Sequence, residues 1–371
     1  MIKNKYLYTC LLAGFTTSTY ADFSALDQKV KFFNNWVVAC NNQGECALDS
    51  LPPQPVKAQT QTATETEDSQ DEQVGFYLEV SRKAAADSPV MLKIEDWSDE
   101  EGDFAEDEPM SLTIDKQSFK LGKLKAKQVE EASFSIPTDK VTEILMALQT
   151  GSQLELKVGE ASLPVSLQGF KEALQYIDEQ QQRLDTSTAL VKKGDKPFTA
   201  TPPQVATITP VKTDETLSDE QVSKLQDKAH ELPLVKECLA KADKENALPD
   251  AILPLDNDHQ LFVFNCESDQ YNQKSLVLIA PKDKPEQAEL AQFDQGVDKG
   301  LITGETVYDG SMGLLTSYYR KSDLGDCGNT AQWAWTGKNF ILTSYDTMPE
   351  CHGVLSFMNV WKLKVPGLQE D

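Results

Sequence analysis

Short runs in which apolar residues recur at every second position fill much of this 371-residue chain. That period belongs to β-strands, whose side chains alternate between two faces. The densest example lies between Leu324 and Trp361. Trp333 and Trp335 share one strand face, and Phe340 and Leu342 share one on the next run. The link Thr336-Gly337-Lys338-Asn339 suits a hairpin, and Gly353–Val365 reads as a closing strand that stops before Pro366. Trp333 and Trp335 are expected to pack in a core; the alternative is an exposed aromatic platform for a sugar or peptide.

The same reading places strands at Trp36–Ala39, Val74–Val80, Val90–Ile94, Met110–Phe119 and Ala132–Ile136, with a hairpin of Gln153–Val158 and Ala161–Leu167 about Gly159-Glu160. Helical spacing appears in two places. Thr138–Gln149 carries Val141, Ile144, Leu145 and Leu148 on one stripe after Pro137 and before Gly151; Phe170–Leu184 turns Phe170, Leu174, Ile177 and the stem of Gln181 inward. Further on, Ser218-Asp219-Glu220-Gln221 is a capping box that starts a helix ending before Pro233, and a short helix at Val235–Ala242 presents Cys238. Strands follow at Gln260–Cys266, Ser275–Ala280, Leu301–Tyr308 and Met312–Tyr319, the last two joined at Asp309-Gly310.

Two stretches lack any period. Residues 52–73 are Pro, Gln, Thr, Glu and Asp and read as a disordered insertion; residues 186–216 carry Pro197, Pro202, Pro203 and Pro210 among Thr, Lys and Val and read as a flexible linker. The pattern therefore predicts a mainly β protein with a few helices (α+β). It divides into an antiparallel β domain over 22–185, the linker 186–216, and a β-rich domain over 217–371.

Residues 1–21 change the picture of where the chain works. Lys3 and Lys5, the short apolar run Leu7–Phe15 and the site Thr19-Tyr20-Ala21 have the form of a cleaved export signal, and no run reaches the ~20 apolar residues a membrane span needs. Cleavage removes Cys10 and leaves Cys40, Cys46, Cys238, Cys266, Cys327 and Cys351. An even number in an oxidising compartment points to disulfides. Six cysteines allow 15 pairings, of which pairing neighbours in order is the simplest. Closing the loop from Cys327 to Cys351 is worth roughly 3–4 kcal/mol, and the shorter loop from Cys40 to Cys46 roughly 2 kcal/mol.

Charge narrows the partners. The formal net charge is −24, and loss of Lys3 and Lys5 takes it to about −26, so nucleic acid and anionic membrane are poor partners. The arginines are Arg82, Arg183 and Arg320, too scattered for a phosphate cluster. His230, His259 and His352 are equally scattered and there is no CxxC, so no metal site is expected. The acidic run 95–108 fits a calcium loop poorly: with Gly102 at the invariant glycine, Trp97 stands where the first aspartate belongs. It reads as a solvated loop; the alternative is weak calcium binding outside the EF-hand pattern. Hydrolase elbow, HExxH, phosphate-loop and dinucleotide motifs are absent, no thiol is left over as a nucleophile, and no cofactor is implied.

Phe33-x-x-Trp36-Val37-Val38-x-Cys40-Asn41-Asn42 with Cys46, Leu167-x-Gly169-Phe170-x-x-Ala173-Leu174, Gly325-Asp326-Cys327-Gly328, Trp333-x-Trp335-x-Gly337-x-x-Phe340 and Cys351-x-Gly353 resemble the domain of unknown function 1176 family of exported bacterial proteins. The first domain is also similar to the invasion-associated locus B family, with its Trp-x-x-x-Cys start, and that resemblance implies a β-sandwich-like build for residues 22–185. The resemblance implies export and a disulfide-bonded β architecture; it brings no activity. The expectation for function is a periplasmic or secreted, non-catalytic envelope protein that binds another protein or a cell-envelope component. The alternative is a hydrolase with a carboxylate site that no motif marks. Oligomeric state is not legible.

Overall fold

The computed structural model describes residues 22–53, 75–96, 104–242 and 249–368. The expected signal, the insertion beyond Pro53 and residues 97–103 of the acidic run lie outside them. The chain is mainly β, as its alternation predicts, with every sheet antiparallel.

The first half opens with a one-turn helix α1 (Ser24–Asp27), then β1 (Lys31–Phe32), β2 (Trp36–Cys40), β3 (Cys46–Ser50), β4 (Phe76–Arg82) and β5 (Val90–Asp96). Next come β6 (Pro109–Ile114), β7 (Gln117–Lys123), α2 (Ala126–Glu130), β8 (Ser133–Ser135), α3 (Thr138–Thr150), β9 (Gln153–Val158), β10 (Ala161–Ser166) and α4 (Phe170–Gln180). One sheet has the order β1-β2-β3-β4-β5-β8 and the other β10-β9-β6-β7. They share a core with α3 and α4, to which Trp36, Leu78, Leu112, Leu156 and Phe170 contribute.

Two expectations shift here. The single strand Met110–Phe119 is two strands, because Asp115 adopts a positive φ of 50° and reverses the chain. Its carboxylate accepts from the backbone N of Ser152 and Gln153 and so holds the turn against β9. The helix expected to run to Leu184 ends at Gln180. Gln181 spends its buried amide on Arg82 Nε at 2.6 Å and on the carbonyls of Gly44 and Arg82.

The second half contains α5 (Asp219–Ala229), α6 (Pro233–Leu239), β11 (Ala251–Pro254), β12 (His259–Ser268), β13 (Gln273–Pro281), β14 (Glu289–Leu290), β15 (Leu301–Thr303), β16 (Glu305–Asp309), β17 (Leu314–Arg320), β18 (Gly328–Trp335), β19 (Phe340–Met348) and β20 (Met358–Lys362). One sheet runs β11-β12-β13-β14 with β15 also on β13; the other runs β16-β17-β18-β19-β20. The strand expected over Leu301–Tyr308 breaks at Gly304, whose φ of 122° and closeness to Tyr318 O leave no room for a side chain. The capping box at Ser218 and Gln221 is present. Disulfides join Cys40–Cys46, Cys238–Cys266 and Cys327–Cys351, the pairing of neighbours in order.

The two halves share a core. The continuous apolar run of β2 is buried on both faces, the pattern of a strand covered on each side. Trp36 and Val38 enter the first core, whereas Val37 and Ala39 enter a second one with Trp333, Trp335, Phe340 and Leu342. Phe23, Leu26 and Val30, grouped by sequence with the first half, also pack in the second core, where Phe23 stacks on Tyr345 with centroids 4.1 Å apart. A third core lies between the β12–β13 sheet and helices α5 and α6.

Residues 186–216 are tied to both halves. Asp178, fully buried, accepts from Arg82 Nη2 at 2.9 Å and from the backbone N of Leu190 and Val191. Arg183 donates to the Ala85 carbonyl at 2.7 Å and lies over the Phe198 ring. Further along, Ile208 N donates to Lys364 O, Val211 N to Trp335 O and Thr213 N to Gly310 O. The segment has no apolar period because its backbone and a buried charge hold it, with single residues such as Leu190 and Val211 reaching the cores instead of a continuous apolar face.

Candidate functional site

Trp333 and Trp335 are 1% and 2% exposed, and each indole N–H is taken: Trp333 by Gln295 O at 3.1 Å, Trp335 by Asp256 Oδ2 at 2.8 Å. Phe293 and Phe340 pack on their rings. The pair therefore lies in the core and presents no surface to a ligand. The six cysteines are spent in the three bridges.

The histidines and carboxylates that sequence left open are drawn into structural contacts. Asp256 closes the turn before β12: its Oδ1 accepts from the backbone N of Asp258 and His259 at 2.8 Å, and the His259 ring lies 2.9 Å away. Burial pushes this carboxyl up, but the bonds from Trp335, Asp258 and His259 outweigh it and hold it below the usual range. His230 contacts Asp250 at 3.3 Å on the α5 side, and the ring of His352 packs on Phe32. Asp326, Cys327 and Cys351 are the one group of three metal-type ligands clustered among the described residues. The cysteines are a disulfide, and Asp326 Oδ2 accepts from Gly353 N, so the group offers no open ligand set. Of the acidic run, Asp96 caps Phe104 N at 3.0 Å; the centre of the run is outside the described residues.

Where the halves meet, side chains from the stapled turn and the first helix reach strands of the second half. Asn41 Nδ2 donates to Asn359 Oδ1 at 2.9 Å, Gln43 Nε2 to Lys362 O, and Tyr345 Oη and Thr347 Oγ1 both to Asp27 Oδ1 at 2.8 Å. Asp49 faces the same junction. It is 3% exposed; Oδ2 accepts from Ser356 Oγ at 2.9 Å, and Oδ1 has no partner among the described residues. Cross-strand register sets Asp49 beside Glu79 and Glu79 beside Lys93. Burial first, and then the Glu79 charge, push the Asp49 carboxyl well above the usual range; burial also raises Glu95, against the pull of Lys93.

Beside this junction is an open cleft of about 240 Å³ whose walls include Glu45, Lys83, Ser88, Pro203, Gln204 and Lys364. It is small for a ligand pocket, and the raised carboxyls of Asp49 and Glu95 are not among its walls.

The feature that sequence reading passed over lies on the second sheet. Lys116, Lys120, Lys123, Lys125 and Lys127 fall within twelve residues that contain no acid, in a chain of net charge −24. All five are exposed, on or beside β7. Their apolar neighbours Phe119, Leu121 and Leu124 point into the core. β7 pairs with β6 on one side and forms the edge of its sheet among the described residues. Lys123 meets Asp107 at 3.9 Å and Lys127 meets Glu131 at 3.2 Å, both in solvent; Lys116, Lys120 and Lys125 have no ion pair among the described residues. The signal was legible as a local reversal of charge, but reading Met110–Phe119 as one strand hid the edge that carries it.

The architecture is thus that of a disulfide-stapled, mainly antiparallel β protein whose two halves close on one core. The chain belongs to the family described as "Protein of unknown function (DUF1176)", which matches residues 30–365. It is 28% identical over 347 residues to the uncharacterised protein YpfG of Escherichia coli (strain K12), covering 89% of this chain and 91% of that one. No solved structure matches.

Proposed function

We propose that this is an exported, non-catalytic protein of the periplasm or cell exterior that binds another protein or a cell-envelope component. The export-signal pattern of residues 1–21 and the three disulfides support the compartment, since such bridges persist where the surroundings oxidise thiols. The observation that carries the binding reading is the positive edge strand β7 on a strongly acidic chain. Exposed charge of one sign set against the charge of the whole molecule costs nothing in packing and selects partners of the opposite sign.

One observation favours the hydrolase reading: Asp49 and Glu95 are carboxyls raised in pKa by burial, as a general acid requires. Asp49, however, lies under the second half, is 3% exposed, is bonded to Ser356 and is not a wall of the cleft beside the junction.

Capture from a bacterial envelope extract tests the binding reading. Mature protein (residues 22–371) and the variant Lys120→Glu/Lys123→Glu/Lys125→Glu are immobilised side by side. The wild type is expected to retain a defined partner that the variant loses. Equal retention by both would remove the edge from the account.

A further inference from the structure

The edge of β7, unpaired among the described residues, has a second property besides charge. An edge strand presents a row of backbone N–H and C=O groups that pair with any extended chain of matching register. Natural edges are blunted against this, and most edges here show how. β10 has Pro164 within it, β11 ends in Pro254, β1 is two residues long, and β16 carries Glu305 and Asp309 on an acidic chain. β20 is bonded by the Asn41–Gln43 turn. β7, at seven residues, has no proline, and its exposed positions include Lys120 and Lys123.

Lysine on an edge guards it against indiscriminate pairing and repels other basic strands, so what it admits is decided by sign. A second copy of β7 laid antiparallel on the first would set lysine against lysine, which is destabilising. An anionic lipid surface would meet the charge but would leave the backbone row unpaired, and no apolar side chain projects between the lysines to enter a bilayer. An acidic extended polypeptide satisfies both the charge and the hydrogen-bonding groups.

We infer that β7 takes up an acidic, extended segment of a partner protein as an added strand on the β10-β9-β6-β7 sheet. This rests on the binding reading above and names its partner class. Lys120 faces the acids of the incoming strand, and Lys116 and Lys123 flank its ends. The bulge in the β6–β7 ladder falls on β7, where Leu121 has no opposite residue between the pairs Met110–Gly122 and Ser111–Lys120, and it limits the added register to the stretch from Gln117 to Lys120.

The test uses the full mature chain and a fluorescein-labelled peptide of alternating glutamate and valine, read by anisotropy. The comparisons are the same peptide N-methylated at alternate residues, vesicles of phosphatidylglycerol, and the triple lysine variant with its fold checked by circular dichroism. The expected result is saturable binding of the plain peptide, weakened about tenfold or more by N-methylation, as loss of one or two hydrogen bonds requires, and abolished in the triple variant. Ser118→Pro, which alters the edge without touching charge, is expected to weaken binding as well. Equal affinity for plain and N-methylated peptide would overturn strand addition while leaving a charge-driven interaction standing. Binding to vesicles with no binding of the peptide would overturn the inference in favour of a membrane surface. No binding to either probe would overturn it outright, whereas the envelope capture reports on the broader reading independently.

Discussion

Asn42 pairs with Lys362 as one strand residue pairs with another. Its Oδ1 accepts from Lys362 N at 2.7 Å and its Nδ2 donates to Lys362 O at 3.1 Å. A side-chain amide has the same donor and acceptor as a peptide group, so one asparagine covers part of the β20 edge. The Cys40–Cys46 bridge holds the turn that presents it. The bridge therefore stabilises the junction between the halves as well as the turn.

Asn42→Ala is expected to destabilise the protein by about 1–3 kcal/mol, the range for two ordinary hydrogen bonds. Urea unfolding followed by tryptophan fluorescence measures it. A loss no larger than that of an exposed control such as Lys116→Ala would show that water replaces the pairing without penalty.

Asp49 makes stability depend on pH. Its carboxyl is raised above the usual range by burial and by Glu79, so between the unfolded value, near 4, and its folded value the native state holds more protons than the unfolded state. Stability contributed by the protonated form is full below the unfolded value and is lost as pH rises through the folded one. Asp49→Asn keeps an acceptor for Ser356 and removes the buried charge. It is expected to raise the melting temperature at pH 8 and to leave it unchanged at pH 4; each unit of raised pKa is worth about 1.4 kcal/mol. A variant less stable than the wild type at pH 8 would mean that the charge is paired and favourable.

The sequence carried the local structure well and the long-range packing poorly. Val141, Ile144, Leu145 and Leu148 formed the expected helical stripe, and all four are buried. Gly159-Glu160 turned the expected hairpin. Three disulfides joined neighbours in order because each pair closes within one compact region. Phe23, by contrast, has no periodic context; its place against Tyr345 and over Gly296 depends on residues more than 270 positions away. Asn41 and Asn42 read correctly as a turn, but nothing local in them says that their amides face another half of the molecule. The buried Arg82–Asp178 pair was equally hidden, since charged residues are rarely core. The lysines of β7 were visible as charge, and their meaning came only with the free edge.

Residues 186–198 test how that hidden pair organises the chain. By composition this segment is the place where a protease should cut first. In the fold, Asp178 holds Leu190 N and Val191 N, Thr186 forms a bridge with Lys196, and Gly194 N donates to Thr186 O. Lys192 and Lys193 are exposed, but a protease needs the backbone around them to open, and the Asp178 carboxylate opposes this. The wild type is therefore expected to resist trypsin at Lys192 and Lys193 under conditions that cleave a denatured control at once. Asp178→Ala removes the anchor and leaves Arg82 buried without its counter-charge, which costs about 3–5 kcal/mol. That variant is expected to be cut at these lysines first, yielding fragments that mass spectrometry places on either side of residue 193. Arg82→Met/Asp178→Leu, which removes both charges together, should recover part of the global stability while staying cleavable, because the Leu190 and Val191 amides still lack their acceptor. Rapid cutting of the wild type at Lys192 or Lys193 would show that the Asp178 contacts do not hold the segment in solution.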